Sequence, residues 1–203
     1  MTRRLATALL TATALTAVLT ACGTAPATPS TSPDTPPAAA DTAPNTGGRN
    51  DHDVMFLQMM VNHHEQGVAM AEIATEKATS DDLKTLASAV VATQKDEIAT
   101  MKSWLTAWGE ADRADTDVNL HADHGGLPAT TPEEIESLRN TPAADFDGTF
   151  LALFTGHQHN AVEMAKTEAA EGANPDAKAL AKSIDDSRTA QIQLMLKISA
   201  GTV

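Results

Sequence analysis

The chain has 203 residues but a single cysteine, no tyrosine, two tryptophans and four phenylalanines. One cysteine excludes an intrachain disulfide framework and a thiolate zinc finger. Few aromatics exclude a stacking platform for single strands or sugars. Basic residues are also scarce: 14 Lys and Arg face 27 Asp and Glu, a net charge of −13. Phosphate contacts need a basic patch, so nucleic acid is not an expected partner. Catalytic motifs are missing as well. His64-Glu65-Gln66-Gly67-Val68 lacks the second histidine of a zincin, and no Glu lies three residues before a His, as di-iron bundles require. There is no Gly-x-Ser-x-Gly and no P-loop. What remains is rich in Ala, with eight Met and seven His. That composition favours an all-α domain.

Arg3 and Arg4 precede an apolar stretch, Leu5 to Leu19, broken only by Thr. The pattern reads as a signal peptide over 1–21, too short for a membrane span of ~20 residues. Leu19-Thr20-Ala21-Cys22 resembles the lipobox of bacterial lipoproteins, which implies cleavage before Cys22 and lipidation, such as palmitate, at Cys22. The alternative is a plain secretory signal. Residues 22–50 then form a Thr-, Ser-, Pro- and Ala-rich linker holding six of the ten prolines. Such a segment buries too little apolar surface to offset its ordering entropy. The expected location is therefore the extracytoplasmic face of a bacterial cell membrane, with the lipid as anchor.

The remainder is one unit written twice. At an offset of 94 residues, Asp53 falls on Asp147, Phe56-Leu57 on Phe150-Leu151, His63 on His157 and Met70-Ala71 on Met164-Ala165. Leu86-Ala87 falls on Leu180-Ala181, and Met101 on Met195. Each copy reads as a helical hairpin, the first over 51–109 and the second over 145–203. Thr79-Ser80-Asp81-Asp82 and Gly172-Ala173-Asn174-Pro175 break the helices, and Gly109 stops the second one. The connection, 110–144, holds Thr131-Pro132-Glu133-Glu134, a capping box for a short helix. Two such hairpins make a four-helix bundle over 51–203. The long connection leaves the pairing topology open.

At about 100° per residue, the apolar arc of the first helix holds Phe56, Met59, Met60, His63, His64, Gly67 and Met70. Gly67 leaves room there for a close approach by backbone or ion. The apolar arc of the second helix carries Leu86, Val90, Gln94, Glu97, Met101 and Trp104. A carboxylate there needs a partner. Antiparallel pairing brings Glu97 and Met101 to the His63–His64 turn. Thioether suits Cu(I), imidazole suits Cu, Zn, Ni or Fe, and carboxylate shifts preference toward Cu(II). The candidate ligands are His63, His64, Met60, Met70, Glu97, Met101 and His157, with Met59, Met164, His121 and His124 as weaker ones. The alternative is a buried polar cluster, in which Glu97 pairs with Arg188 across the pseudo-twofold and the methionines fill the core. The second copy has Gln158 for His64, Gln191 for Glu97 and Arg188 for Gln94, so it reads mainly as scaffold.

The run Asp53-x-x-Phe56…Met60-x-x-His63-His64…Met70-Ala71, followed by Gln94-x-x-Glu97-Ile98-x-x-Met101-x-x-Trp104, resembles the DUF305 family of exported bacterial proteins. The resemblance covers about 150 residues. It implies a ferritin-like bundle and, from some members, extracytoplasmic copper binding and tolerance. The expectation is a membrane-anchored protein that sequesters or delivers copper, Cu(I) or Cu(II), without catalysis and without an organic cofactor. A non-catalytic interaction lipoprotein and a copper oxidase are the alternatives.

Overall fold

The computed structural model describes residues 47–114 and 130–202. The signal, the linker, Cys22, His121 and His124 lie outside the described residues. Among the described residues five helices follow one another: α1 (Asp51–Lys77), α2 (Asp81–Trp108), α3 (Pro132–Asn140), α4 (Ala143–Glu171) and α5 (Pro175–Ser199). The fold is all-α. None of these helices is long and apolar enough to cross a membrane.

The helix ends are set by local chemistry. The Asn50 side chain accepts from the amides of His52 and Asp53, and the Asp53 carboxylate accepts from Asn50 N at 2.6 Å. Ser80 caps α2, and Asn174 caps α5 ahead of Pro175. Gly109 ends α2 at φ 76°, a left-handed conformation that a side chain would strain. The expected capping box is present: Thr131 and Glu134 bond each other's amides at the start of α3. The helix α4 begins at Ala143, inside the stretch read from sequence as connection.

The pairing left open by sequence is settled by two reciprocal contacts. Asp53, at the start of α1, accepts from Ala173 N and Asn174 N in the α4–α5 turn, at 3.0 and 2.8 Å. Its duplicate Asp147, at the start of α4, accepts from Thr79 N and Ser80 N in the α1–α2 turn, at 2.9 and 3.0 Å. These bonds make α1 and α4 antiparallel and tie each hairpin to the other's turn. The helix α1 packs on α2 and α4, and α5 packs on α4 and more lightly on α2. The chain therefore leaves α2 at one end of the bundle and enters α4 at the other. The described parts of the connection lie against α1. Ala114 bonds Gln58 and Asn62, Thr130 bonds Gln66, and the end of α3 meets Lys77.

One end carries an acid pair. Burial and the neighbouring Asp53 push the Glu168 carboxyl up to about 8. Burial alone would raise Asp53 too, but bonds from Asn50, Asn174, Glu168 and Ala173 outweigh it and hold Asp53 below the usual carboxylate range. Glu168 thus holds a proton beside the ionised Asp53. The folded chain keeps this proton up to about pH 8, while the unfolded chain loses it near 4.5. Stability drawn from it is complete below 4.5 and declines as pH rises toward 8. Glu168→Gln is expected to flatten that decline in urea midpoints measured from pH 7 to 9. An unchanged slope would refute the assignment.

Candidate metal centre

Two apolar clusters fill the bundle. One gathers Met70, Leu83, Val90, Phe146, Phe150, Ile192 and Met195; the other gathers Phe56, Met60, Met101, Leu105, Ala165 and Ile184. In every long helix the residues between them are polar and buried: His63 and His64 on α1, Gln94 on α2, His157 and Gln158 on α4, and Arg188 on α5. The duplicated pattern thus places a polar layer at mid-height, sealed above and below.

His64 Nε2 lies 2.7 Å from Glu97 Oε2, the carboxylate that sequence placed at this turn. Arg188 spans the pseudo-twofold and bonds the same oxygen. The duplicated position holds a neutral copy of the pair, Gln158 donating to Gln191. Ionised Glu97 can only accept, so His64 Nε2 carries a proton toward it and has no lone pair for the guanidinium nitrogen 3.1 Å away. Glu97 accepts from both. On the other side, the His63 ring stacks on His157, with centroids 3.7 Å apart and planes 15° apart. This continues a ladder of rings along α4 through Phe146, Phe150, Phe154 and His157. His63 Nε2 donates to the His157 carbonyl at 3.0 Å, and Thr130 Oγ1 meets His157 Nδ1 at 3.0 Å.

These partners fix the proton on Nε2 of both His63 and His64. The opposite nitrogens, His63 Nδ1 and His64 Nδ1, are buried with no hydrogen-bond partner. Two adjacent imidazoles therefore present unused lone pairs inside the bundle. Burial keeps them neutral. It lowers the pKa of His63 well below the ordinary value, helped by His157 and His64, and it also lowers His64. Burial, with the charges of His64 and Arg188, brings His157 down to about 3. Burial alone would raise Glu97, but the His64 bond and the Arg188 charge hold it below the usual carboxylate range.

Three histidines kept neutral oppose folding in acid. Below about 6.5 the unfolded chain takes up protons that the folded chain refuses, so stability falls with pH from about 6.5 toward 3. Urea midpoints are expected to drop steadily over that range, and less steeply in His157→Gln. A midpoint constant from pH 7 to 4 would contradict the buried neutral state.

Gly67 sits beside this layer. A Cβ there would lie 2.4 Å from Gln94 Oε1 and 2.9 Å from His157 Nε2. The close approach at Gly67 is thus made by two side chains, where the sequence suggested a backbone or an ion. Gly67→Ala is expected to cost about 1–3 kcal/mol, the range for overpacking, read as a lower urea midpoint. No loss would show that Gln94 moves aside freely.

Of the residues singled out by sequence, the fold brings His63, His64, Glu97 and His157 into one network. Met60 and Met101 are fully buried in one apolar cluster and Met70 in the other. Met59 and Met164 line a separate cavity near one end of the bundle. Among the described residues, no three His, Cys, Asp or Glu converge as a ligand set. Sequence reasoning missed Thr130, which precedes a capping box and carries no pattern of its own. It also missed Met55, whose signal was its place one turn before Met59.

A profile described as "Domain of unknown function (DUF305)" matches residues 53–199. The chain belongs to the DUF305 family. Among solved structures, CopM in its Cu(I)-bound form is 28% identical, with a TM-score of 0.60, covering 73% of this chain and 96% of CopM. CopM in its Cu(II)-bound form is also 28% identical, with a TM-score of 0.63, over 74% of this chain and 97% of CopM. A DUF305 secreted protein from Streptomyces coelicolor shares the fold at 24% identity, with a TM-score of 0.68, over 74% of this chain and 93% of the other. No curated protein sequence matches the chain. CopM is also solved with silver bound.

Proposed function

We propose that this DUF305 protein binds a soft monovalent cation, Cu(I) in the cell and Ag(I) as its mimic, at His63 and His64. The observation that carries the proposal is the pair of buried, unpartnered Nδ1 atoms on neighbouring residues. The donor set fits the ion. Neutral imidazole nitrogens suit copper, and a hard divalent ion would want more oxygen than this layer supplies. Glu97 and the His157 carbonyl, which hold the opposite nitrogens, orient the rings and raise their basicity. Arg188 balances Glu97, so the layer is neutral before an ion enters. The similarity to copper- and silver-bound CopM supports the same chemistry.

In this proposal the protein sequesters or delivers copper outside the membrane, tethered by lipid at Cys22, and performs no catalysis. Metal analysis of protein from copper-supplemented cells, with membrane and soluble fractions assayed separately, tests both parts. Copper is expected in the membrane-associated protein, and Cys22→Ser is expected to release the protein from that fraction. Metal-free protein would overturn the binding, and an unshifted Cys22→Ser variant would overturn the anchor.

A further inference from the structure

The seven methionines of the described residues fall into two kinds. Met60, Met70, Met101 and Met195 are wholly buried in the apolar clusters, where a thioether packs as hydrocarbon does. Met55, Met59 and Met164 instead line a cavity of about 270 Å³ between α1 and α4, open to solvent, with His52 and Glu171 at its side. Met59 is buried and Met164 packs partly against the core, yet both border this opening together with Met55.

We infer that this cavity is a second site for a monovalent soft cation, held by the sulfurs of Met55, Met59 and Met164 with the His52 imidazole beside them. Thioether sulfur is a soft, neutral donor, selective for Cu(I) and Ag(I) over hard divalent ions. His52 Nδ1 pairs with Glu171 Oε2 at 3.1 Å, so an acidic group stands at the rim to offset the added charge. Met55, Met59 and His63 recur every four residues on one face of α1, about 6 Å apart along the axis. A cation caught at the thioethers is therefore one turn from the first buried imidazole. This inference rests on the soft-metal role proposed above, and the test separates the two.

The full chain in detergent, with Cys22→Ser so that no thiol competes, is titrated with Ag(I) by calorimetry, and bound silver is counted by elemental analysis. Two ions per chain are expected. Met55→Leu/Met59→Leu/Met164→Leu, which nearly conserves volume, is expected to bind one, and His64→Gln with His63→Gln is also expected to bind one. Methyl NMR of the parent should show the ε-methyl signals of Met55, Met59 and Met164 moving with silver while those of Met70 and Met195 stay. One ion in the parent, retained by the triple leucine variant, would overturn the cavity site alone. No ion in the parent would overturn both sites.

Discussion

Glu97→Ala is expected to lower the unfolding free energy by about 3–5 kcal/mol, the range for breaking a buried ion pair by removing one partner. Arg188 is fully buried, with its charge directed at Glu97 and one other nitrogen bonded to Ser187 Oγ at 3.0 Å. Without Glu97 the guanidinium would stay in the sealed layer with no anion, and the His64 Nε2 proton would lose its acceptor. A domain holds about 5–15 kcal/mol in total, so the loss would be a large share of the whole. Removing both charges together, in Glu97→Gln/Arg188→Met, is expected to cost much less than the sum of the single variants, because neither leaves an orphan. Urea denaturation followed by circular dichroism measures Glu97→Ala, Glu97→Gln, Arg188→Met and the double variant. A loss below about 1 kcal/mol for Glu97→Ala, the level of an exposed pair, would show that the layer is wetter than the geometry states.

The second large effect concerns the cation. A ligand bound only by the folded chain stabilises it by about 2.7 kcal/mol at a hundredfold excess over its dissociation constant. Silver is therefore expected to raise the melting temperature of the parent strongly. With the imidazoles at 63 and 64 replaced by glutamine, the part of the shift due to the buried site should vanish. Glutamine is the informative replacement, since the second copy already carries Gln158 where the first has His64 and pairs it with Gln191. The layer thus tolerates the amide without its imidazole. The same shift in both proteins would place the silver elsewhere.

Much of this architecture was legible in the residues. The 94-residue offset disclosed two hairpins, and the faces of the first disclosed that His63, His64 and Glu97 point one way. The pairing of Glu97 with Arg188 across the pseudo-twofold was readable as an alternative because Arg188 stands where the first copy has Gln94. Helix periodicity cannot say how two hairpins dock. That depends on Asp53 and Asp147 capping each other's turns, contacts between residues 120 and 68 positions apart. It also could not divide the methionines. Met60 and Met59 are neighbours in sequence and both buried, yet Met60 is wholly enclosed while Met59 borders a cavity, a difference made by the packing of α4. The unpartnered Nδ1 atoms were equally out of reach, since they follow from which nitrogen meets a carbonyl or a carboxylate.

The central claim is that His63 Nδ1 and His64 Nδ1 are the ligand atoms. Nitrogen NMR of the histidine-labelled protein, before and after one equivalent of Ag(I), reads it directly. Both Nδ1 resonances should move on binding while both Nε2 atoms keep their protons. Unmoved Nδ1 signals in silver-loaded protein, or loss of the Nε2 protons, would contradict it.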